Sequence, residues 1–545
     1  MSISSFVQRT SVAAAALLLL VVPAVAQQKP AIIVSISSVD ETMSDIQYVA
    51  QATGNTQATM GVGMAGLAAD QYLRLLDKTA PIGITAVVNG PIPDVLAFVP
   101  VKDFEGLKAK ISETLGPPAD QGDGVWKLNG PQPSFMKQSG KFVFIAQDPA
   151  RLNDLPQNPA AMLEGLDKRY NIGVRLYVQR IPMEMRQELL GLVQNLQNAN
   201  QLDDDDPQAA FQKAMAASSA KNMELMVNQA EIFEMGIAID QDKKEINLEY
   251  AVTATEGSEL ADELAYIQDA ETRFGSVLDP GAALNMNISM KIGQTQMTMA
   301  NDLLKVFRTS IEKEMKGDGN FPSDEARAAA EKVVGDLLDV AEATIKGGKL
   351  DSVGSVSLDG SNLQFSAAAQ IAEGEKLNQT IRDIVALAKE EPDFPEVQLD
   401  AAKVGDVTIH LLQVPVPADE EDARAVFGDQ VEIAVGVGPD ATYLCVGAGA
   451  VDCVKKIAAG SNPKTVRPMA MRASIGQLIK FGAQFNDDPA MQQLLGVVDK
   501  MGDRDHVEVL VEAIPNGARY KFRLEDGLLK AVGFGIEQAM GGGGF

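Results

Sequence analysis

Apolar and polar positions along the chain repeat one phrase: a strand, one or two helices, a hairpin, then a closing helix. The first copy opens with Ile32-Ile33-Val34-Ser35-Ile36. It continues with helical periodicity over residues 41–52 and 66–76. A hairpin follows, 82–88 with 95–99 across Asn89-Gly90-Pro91. Its closing helix spans 103–115, capped by Asp103 and stopped by Gly116-Pro117-Pro118. The second copy has a strand at 174–178, helices at 184–197 and 207–222, a hairpin of 230–239 with 246–253, and a helix at 258–271. The third has a strand at 283–288, helices at 298–315 and 323–346, a hairpin of 353–358 with 363–369, and a helix at 375–389. The fourth runs from 469–473 through helices at 475–485 and 489–500 to a hairpin of 507–513 with 520–524.

Two further pieces, 124–155 and 404–457, separate the first copy from the second and the third from the fourth. Each reads as a strand pair ending in a strand-to-helix turn. The order copy, insert, copy, given twice, predicts two related halves at 27–275 and 276–540. A coincidence of register is the competing account, since any α+β chain alternates these elements. The hairpins predict an α+β fold of mainly antiparallel sheets with helices packed on one face. Alternation in Ile246-Asn247-Leu248-Glu249-Tyr250-Ala251-Val252 agrees with this.

Residues 1–26 read as a cleavable signal peptide, which predicts export to a periplasmic or extracellular setting. Arg9 precedes an apolar run from Val12 to Val22, Pro23 breaks it, and Ala24-Val25-Ala26 places small residues before Gln27. The run is about half the ~20 residues that a spanning helix needs. No later segment reads as a transmembrane span. The tail 541–545, four glycines and Phe545, reads as flexible.

Composition narrows the classes. The 545 residues are 46% hydrophobic and 22% charged, which is globular rather than disordered. Aromatics make up only 5%, so the core rests on Ala, Val, Leu, Ile and Met. Forty-seven Lys and Arg face 74 Asp and Glu, for a net charge of −27. Such a surface repels phosphate backbones, so nucleic acid is excluded as a main partner.

Candidate chemistry is sparse. Cys445 and Cys453 lie eight positions apart, a spacing that in an exported chain suggests a disulfide pinning a helix to a strand end. Two buried thiols are the alternative. Gly447-Ala448-Gly449-Ala450-Val451-Asp452 has the setting of a dinucleotide fingerprint, but Asp452 stands at the third glycine position. A tight turn accounts for it. His410 and His506 show no metal-ligand spacing, and no metal or cofactor is expected. Asp203-Asp204-Asp205-Asp206-Pro207 reads as a helix cap, and Ser218-Ser219-Ala220-Lys221 as a chance Ser-x-x-Lys. Close methionine pairs (Met183 and Met185, Met286 and Met290, Met297 and Met299, Met469 and Met471) read as core filling, with thioether binding of Cu(I) as the alternative.

Phe98-Val99-Pro100-Val101-Lys102-Asp103-Phe104 and Phe144-Ile145-Ala146-Gln147-Asp148 each end a strand in a short turn where an Asp opens a helix. With the signal peptide and the few aromatics, the chain resembles exported, uncharacterised envelope proteins found as large paralogous sets in planctomycete-type bacteria. The resemblance implies an envelope setting and no activity. No catalytic residue is identified, and the expectation is a non-enzymatic binding or scaffolding protein, with protein or small-molecule ligand left open. The alternatives are a hydrolase using carboxylate acid–base chemistry and a copper or lipid carrier.

Overall fold

The computed structural model describes residues 29–90, 92–198, 207–317, 323–389, 394–460, 463–486 and 488–541. Residues 1–26, read above as a signal peptide, residues 203–206 and residues 542–545 of the tail lie outside the described residues.

The first repeat is β1 (Ile32–Ser38), α1 (Val39–Ala52), α2 (Thr56–Leu73), β2 (Pro81–Val87), β3 (Asp94–Pro100) and α3 (Phe104–Leu115). An insert of four strands follows: β4 (Ala119–Asp120), β5 (Val125–Leu128), β6 (Ser134–Ser139) and β7 (Phe142–Ala146). After the short α4 (Leu166–Arg169) come β8 (Ile172–Tyr177), α5 (Met183–Asn198), α6 (Pro207–Gln229), β9 (Ala230–Asp240), β10 (Glu245–Ala254) and α7 (Glu259–Leu264). A small strand, β11 (Ala270–Thr272), leads to β12 (Leu284–Lys291), α8 (Gln294–Gly317), α9 (Asp324–Lys346), β13 (Lys349–Asp359), β14 (Asn362–Gln370) and α10 (Gly374–Ala388). The second insert is β15 (Glu396–Val404), β16 (Val407–Pro415), α11 (Glu421–Phe427), β17 (Gln430–Val437), β18 (Ala441–Val446) and α12 (Ala450–Ala459). The chain ends with β19 (Lys464–Val466), β20 (Met469–Ser474), α13 (Ile475–Gly482), α14 (Pro489–Met501), β21 (His506–Ile514), β22 (Gly517–Glu525) and α15 (Leu529–Gly541).

The fold is α+β, and neighbouring strands within each unit's sheet run antiparallel. Two differences from the sequence reading stand out. Each insert holds four strands rather than two. In addition, α2 begins ten residues before the expected 66, because Asn55 accepts a hydrogen bond from the Ala58 N–H at 2.8 Å and starts the helix ahead of its glycines.

The described residues form two compact units. The first holds residues up to Val193, Met226–Thr255 and the segment from Glu525; the second holds Gln194–Leu225 and Glu256–Leu524. The boundary thus falls at 255 rather than 275, and the C-terminal helix joins the first unit. Packing explains both shifts. Within the second unit, Glu263 and Glu259 of α7 accept hydrogen bonds from the Thr295 N–H and hydroxyl, both at 3.0 Å, at the start of α8. Within the first, Asn55 donates to the Gly533 carbonyl of α15 at 3.3 Å, and Tyr48 donates to Asp526 at 2.7 Å. A Cβ on Gly533 would lie 2.2 Å from the Thr53 carbonyl oxygen, so only glycine permits that approach.

The first unit's sheet runs β10-β9-β8-β1-β2-β3-β7-β6-β5-β4. The second unit's runs β22-β21-β20-β12-β13-β14-β18-β17-β16-β15. Counted along the chain within each unit, apart from β11 and β19, the two strand orders are the same. The registers agree as well. Ser37 N–H donates to the Asn171 carbonyl, and Ser289 N–H to that of Pro468, both at 2.8 Å. Arg175 faces Glu234 across β8 and β9, and Arg472 faces Glu508 across β20 and β21.

One face of each sheet is the main core. In the first unit Ile33, Leu96, Phe98 and Phe144 pack under the segment carrying Leu152, Leu163, Leu166 and Tyr170. A fully buried phenylalanine of this kind contributes roughly 1.5–3 kcal/mol. Gly236 allows the fit, since its Cβ would lie 2.2 Å from the Tyr170 ring. In the second unit α12 takes the corresponding place, with Val454 and Ile457 against Ile409, Ala434 and Tyr443. The opposite face is covered only in part. α3 lays Phe104, Leu107 and Ile111 over β5–β7.

Candidate functional site

The uncovered part of the opposite face follows from strand periodicity, since alternate residues share a side. In the second unit Met286 pairs with Gly354 and Met471, and Gly354 with Ala367, which pairs with Leu444. Ile288, Ser352, Ala369 and Thr442 form the next row. Apart from Met471, these residues line a cavity of about 320 Å³, with Phe365 at its edge. That volume is at the lower end for ligand pockets. Gly354 and the alanines set its floor, and Met286, Phe365 and Leu444 form its sides. No charged side chain lines it. The strand N–H and C=O groups are paired in the ladders, so the only polar side-chain groups on that face of the lining are the Ser352 and Thr442 hydroxyls.

The first unit has the same face with other residues. Register places Val34, Ile84, Ala97 and Ile145 where Met286, Gly354, Ala367 and Leu444 stand. Ile82 stands in the place of Ser352. Branched side chains thus occupy the volume that glycine and serine leave open.

A second cluster lies on the core face of the first unit. Arg175 Nη2 is 2.6 Å from Glu234 Oε2, and its Nη1 is 2.9 Å from Glu164 Oε2. The Tyr170 hydroxyl lies 3.1 Å from both Glu234 Oε1 and Glu249 Oε2 and shares its one proton between them, and Tyr177 donates to Glu164. Burial raises both phenol pKa values above the ordinary range, so they stay protonated donors. Each of these carboxylates accepts hydrogen bonds from a cation or a phenol. Arg169 also pairs with Glu234, so the buried carboxylate has two cations, and the arrangement leaves no acid–base pair facing an open cleft.

The residues singled out by sequence fall in separate places. Cys445, fully buried on β18, and Cys453 on α12 are joined by a disulfide, with Cα atoms 6.2 Å apart. The glycine turn before α12 is closed to phosphate. Glu432 Oε2 already accepts from the Gly449 and Ala450 N–H groups at 2.9 and 3.2 Å, and a Cβ on Gly447 would meet the Leu363 carbonyl oxygen at 2.4 Å. His410 is buried between Asp400 and Asn378. Its Nδ1 accepts from the Asp400 N–H at 3.2 Å, so Nε2 carries the proton toward Asn378 Oδ1 at 2.7 Å. Burial pushes its pKa below the ordinary value.

His506 Nδ1 is 3.1 Å from Asp505 Oδ1, and Ser474 donates to Asp505 Oδ2 at 2.5 Å. The carboxylate stands between serine and imidazole, so the imidazole is not placed to take the serine proton. Ser218 and Lys221 lie on α6. Of the methionine pairs, Met286, Met469 and Met471 share the uncovered face, whereas Met297 and Met299 lie on α8. The cavity itself was not legible from sequence, because it depends on which strands lie side by side. A signal did exist: the small residues Ala367-Ala368-Ala369 and Gly354 in otherwise strand-like text.

No helix among the described residues is long and apolar enough to cross a membrane. No protein-family model, curated protein or solved structure matches the chain.

Proposed function

We propose that the chain is an exported, non-enzymatic binding protein of the cell envelope that holds an aliphatic chain in the sheet-face cavity of its second unit. The observation that carries this is the lining: apolar and uncharged, with its strand backbone groups already paired. A hydrocarbon asks for no hydrogen bond there. A peptide would bring its own N–H and C=O groups into a lining with only two hydroxyls, at a cost of about 1–3 kcal/mol for each left unpaired. Met286 adds an adaptable wall, suited to a flexible chain. The signal-like amino terminus and the Cys445–Cys453 disulfide support an oxidising compartment. The matched strand orders and registers support two related halves.

Titration with a fluorescent long-chain fatty acid tests the ligand. We expect saturable uptake at one site per chain. The double substitution Gly354→Ile and Ser352→Ile is expected to weaken it by about tenfold or more while the circular dichroism spectrum stays as in the parent. Absence of saturable uptake, or equal uptake by the filled variant, overturns the reading. Mass spectrometry of the protein from its native cells tests export, with Gln27 as the expected first residue and an intact residue 1–26 segment as the contrary result.

A further inference from the structure

We infer that α2 of the first unit is a docking element for a phospholipid surface. Its sequence runs from Thr56 to Ala69 without one ionisable side chain, in a chain with 22% charged residues. Met60, Met64 and Leu67 are 57%, 72% and 80% exposed. They stand at i, i+4 and i+7, so they form a single apolar stripe. The same 4,3 spacing continues through Gln71 to Arg74. The stripe therefore leads directly into an open polar groove of about 570 Å³, where Gln71 and Arg74 are joined by Lys102 and Lys110.

The acids of that groove are occupied. Asp103 accepts from the Gly106 N–H at 2.9 Å as the cap of α3, and Glu113 pairs with Lys110. Among the described residues neither Arg74 nor Lys102 forms an ion pair. One helix face thus presents hydrocarbon over its first part and a free cation, Arg74, at its end, with Lys102 of the segment before α3 beside it in the groove. That is the order of groups that an acyl layer edged by phosphates complements.

A second copy of this chain fits the stripe poorly. An antiparallel partner helix centred on Leu67 sets Arg74 against Met60 of the other copy, and a parallel one sets Arg74 against Arg74. The net charge of −27 opposes an anionic bilayer as a whole. The expected surface is therefore zwitterionic, met through phosphate oxygens by Arg74 and Lys102.

Flotation of the full chain with phosphatidylcholine vesicles, and with vesicles that also contain phosphatidylglycerol, tests this. The parent chain is expected to float with phosphatidylcholine and less well as phosphatidylglycerol rises. Met64→Asp with Leu67→Asp is expected to cut the bound fraction by about tenfold or more, and the milder Leu67→Gln by a smaller factor. Arg74→Glu with Lys102→Glu is expected to lower binding severalfold. All these positions are exposed, and an unchanged circular dichroism spectrum checks that each variant folds. The inference is independent of the cavity reading, because the Gly354→Ile, Ser352→Ile variant is expected to float like the parent. It is overturned if the parent does not float, if the aspartate variant floats equally, or if sedimentation shows a dimer that the aspartate variant dissolves.

Discussion

The two units share one strand order, yet the same places in that order carry different physics. On the uncovered face, Ile82 and Ile84 of the first unit stand where the second has Ser352 and Gly354. Branched side chains fill one face; their loss opens a cavity in the other. On the core face the relation reverses. Arg175–Glu234 is nearly enclosed, with side chains 11% and 8% exposed, whereas Arg472 of the matching Arg472–Glu508 pair is 41% exposed. The helices differ too. α2 is uncharged over most of its length, whereas α9 and its neighbours are laced with ion pairs, among them Arg308–Asp339, Lys332–Asp383 and Lys376–Asp339. A shared backbone plan therefore does not imply a shared site. The side chains at a few registers decide which face is filled, which is left open, and which helix carries charge.

The largest expected effect tests the buried charge. Arg175→Met removes one of the two arginines that pair with Glu234, leaves only Arg169 beside it in a dry setting and is expected to cost about 3 kcal/mol. Arg472→Met, at the matched register but half-exposed, is expected to cost no more than about 1 kcal/mol. Urea unfolding read by hydrogen exchange in β8 and β20 separates the two units. Equal losses break the comparison.

A smaller effect tests the cavity. Ile84→Gly removes a half-buried branched side chain and places glycine in a strand, so we expect about 2 kcal/mol of destabilisation in the first unit. Together with Ile82→Ser it is expected to raise the fatty-acid stoichiometry from one to two per chain. A stoichiometry that stays at one shows that the small residues alone do not make the site.

The smallest effect is a pH dependence confined to the second unit. His410 is held neutral by burial, so its folded pKa lies below the ordinary 6.5. The unfolded chain then binds the extra proton more readily. The stability contribution is complete above pH 6.5 and is lost as pH falls through the folded value. Chemical denaturation of the second unit between pH 7 and 5 should show this loss, and His410→Phe should remove it. An unchanged slope in that variant assigns the acid sensitivity to other groups.

Much of the fold was legible in the sequence. The strand–helix–helix–hairpin phrase and its fourfold recurrence came from apolar periodicity, which is local. The start of α2 was missed because Gly61, Gly63 and Gly66 lower helix propensity, whereas the Asn55 cap and packing of α2 on α1 outweigh them. The first insert looked like a strand pair because β4–β6 are short and partly exposed, so their periodicity is weak, whereas in the second β15 lies before the expected start at 404. Residues 258–271 read as one helix, but α7 stops at Leu264 and the chain then enters β11.

By itself, then, the sequence determined the element types, the acidic surface, the recurring phrase and the scarcity of catalytic groups. All of these depend on composition or on neighbours a few residues apart. Tertiary structure alone decided the rest. It set α7 beside α8 and α15 beside α1, because hydrogen bonds such as Asn55 to Gly533 join residues far apart in the chain. It also turned Gly354, Ala367 and Leu444 into one cavity floor and wall. Neighbours across a sheet are chosen by strand order, and strand order is a property of the whole folded chain.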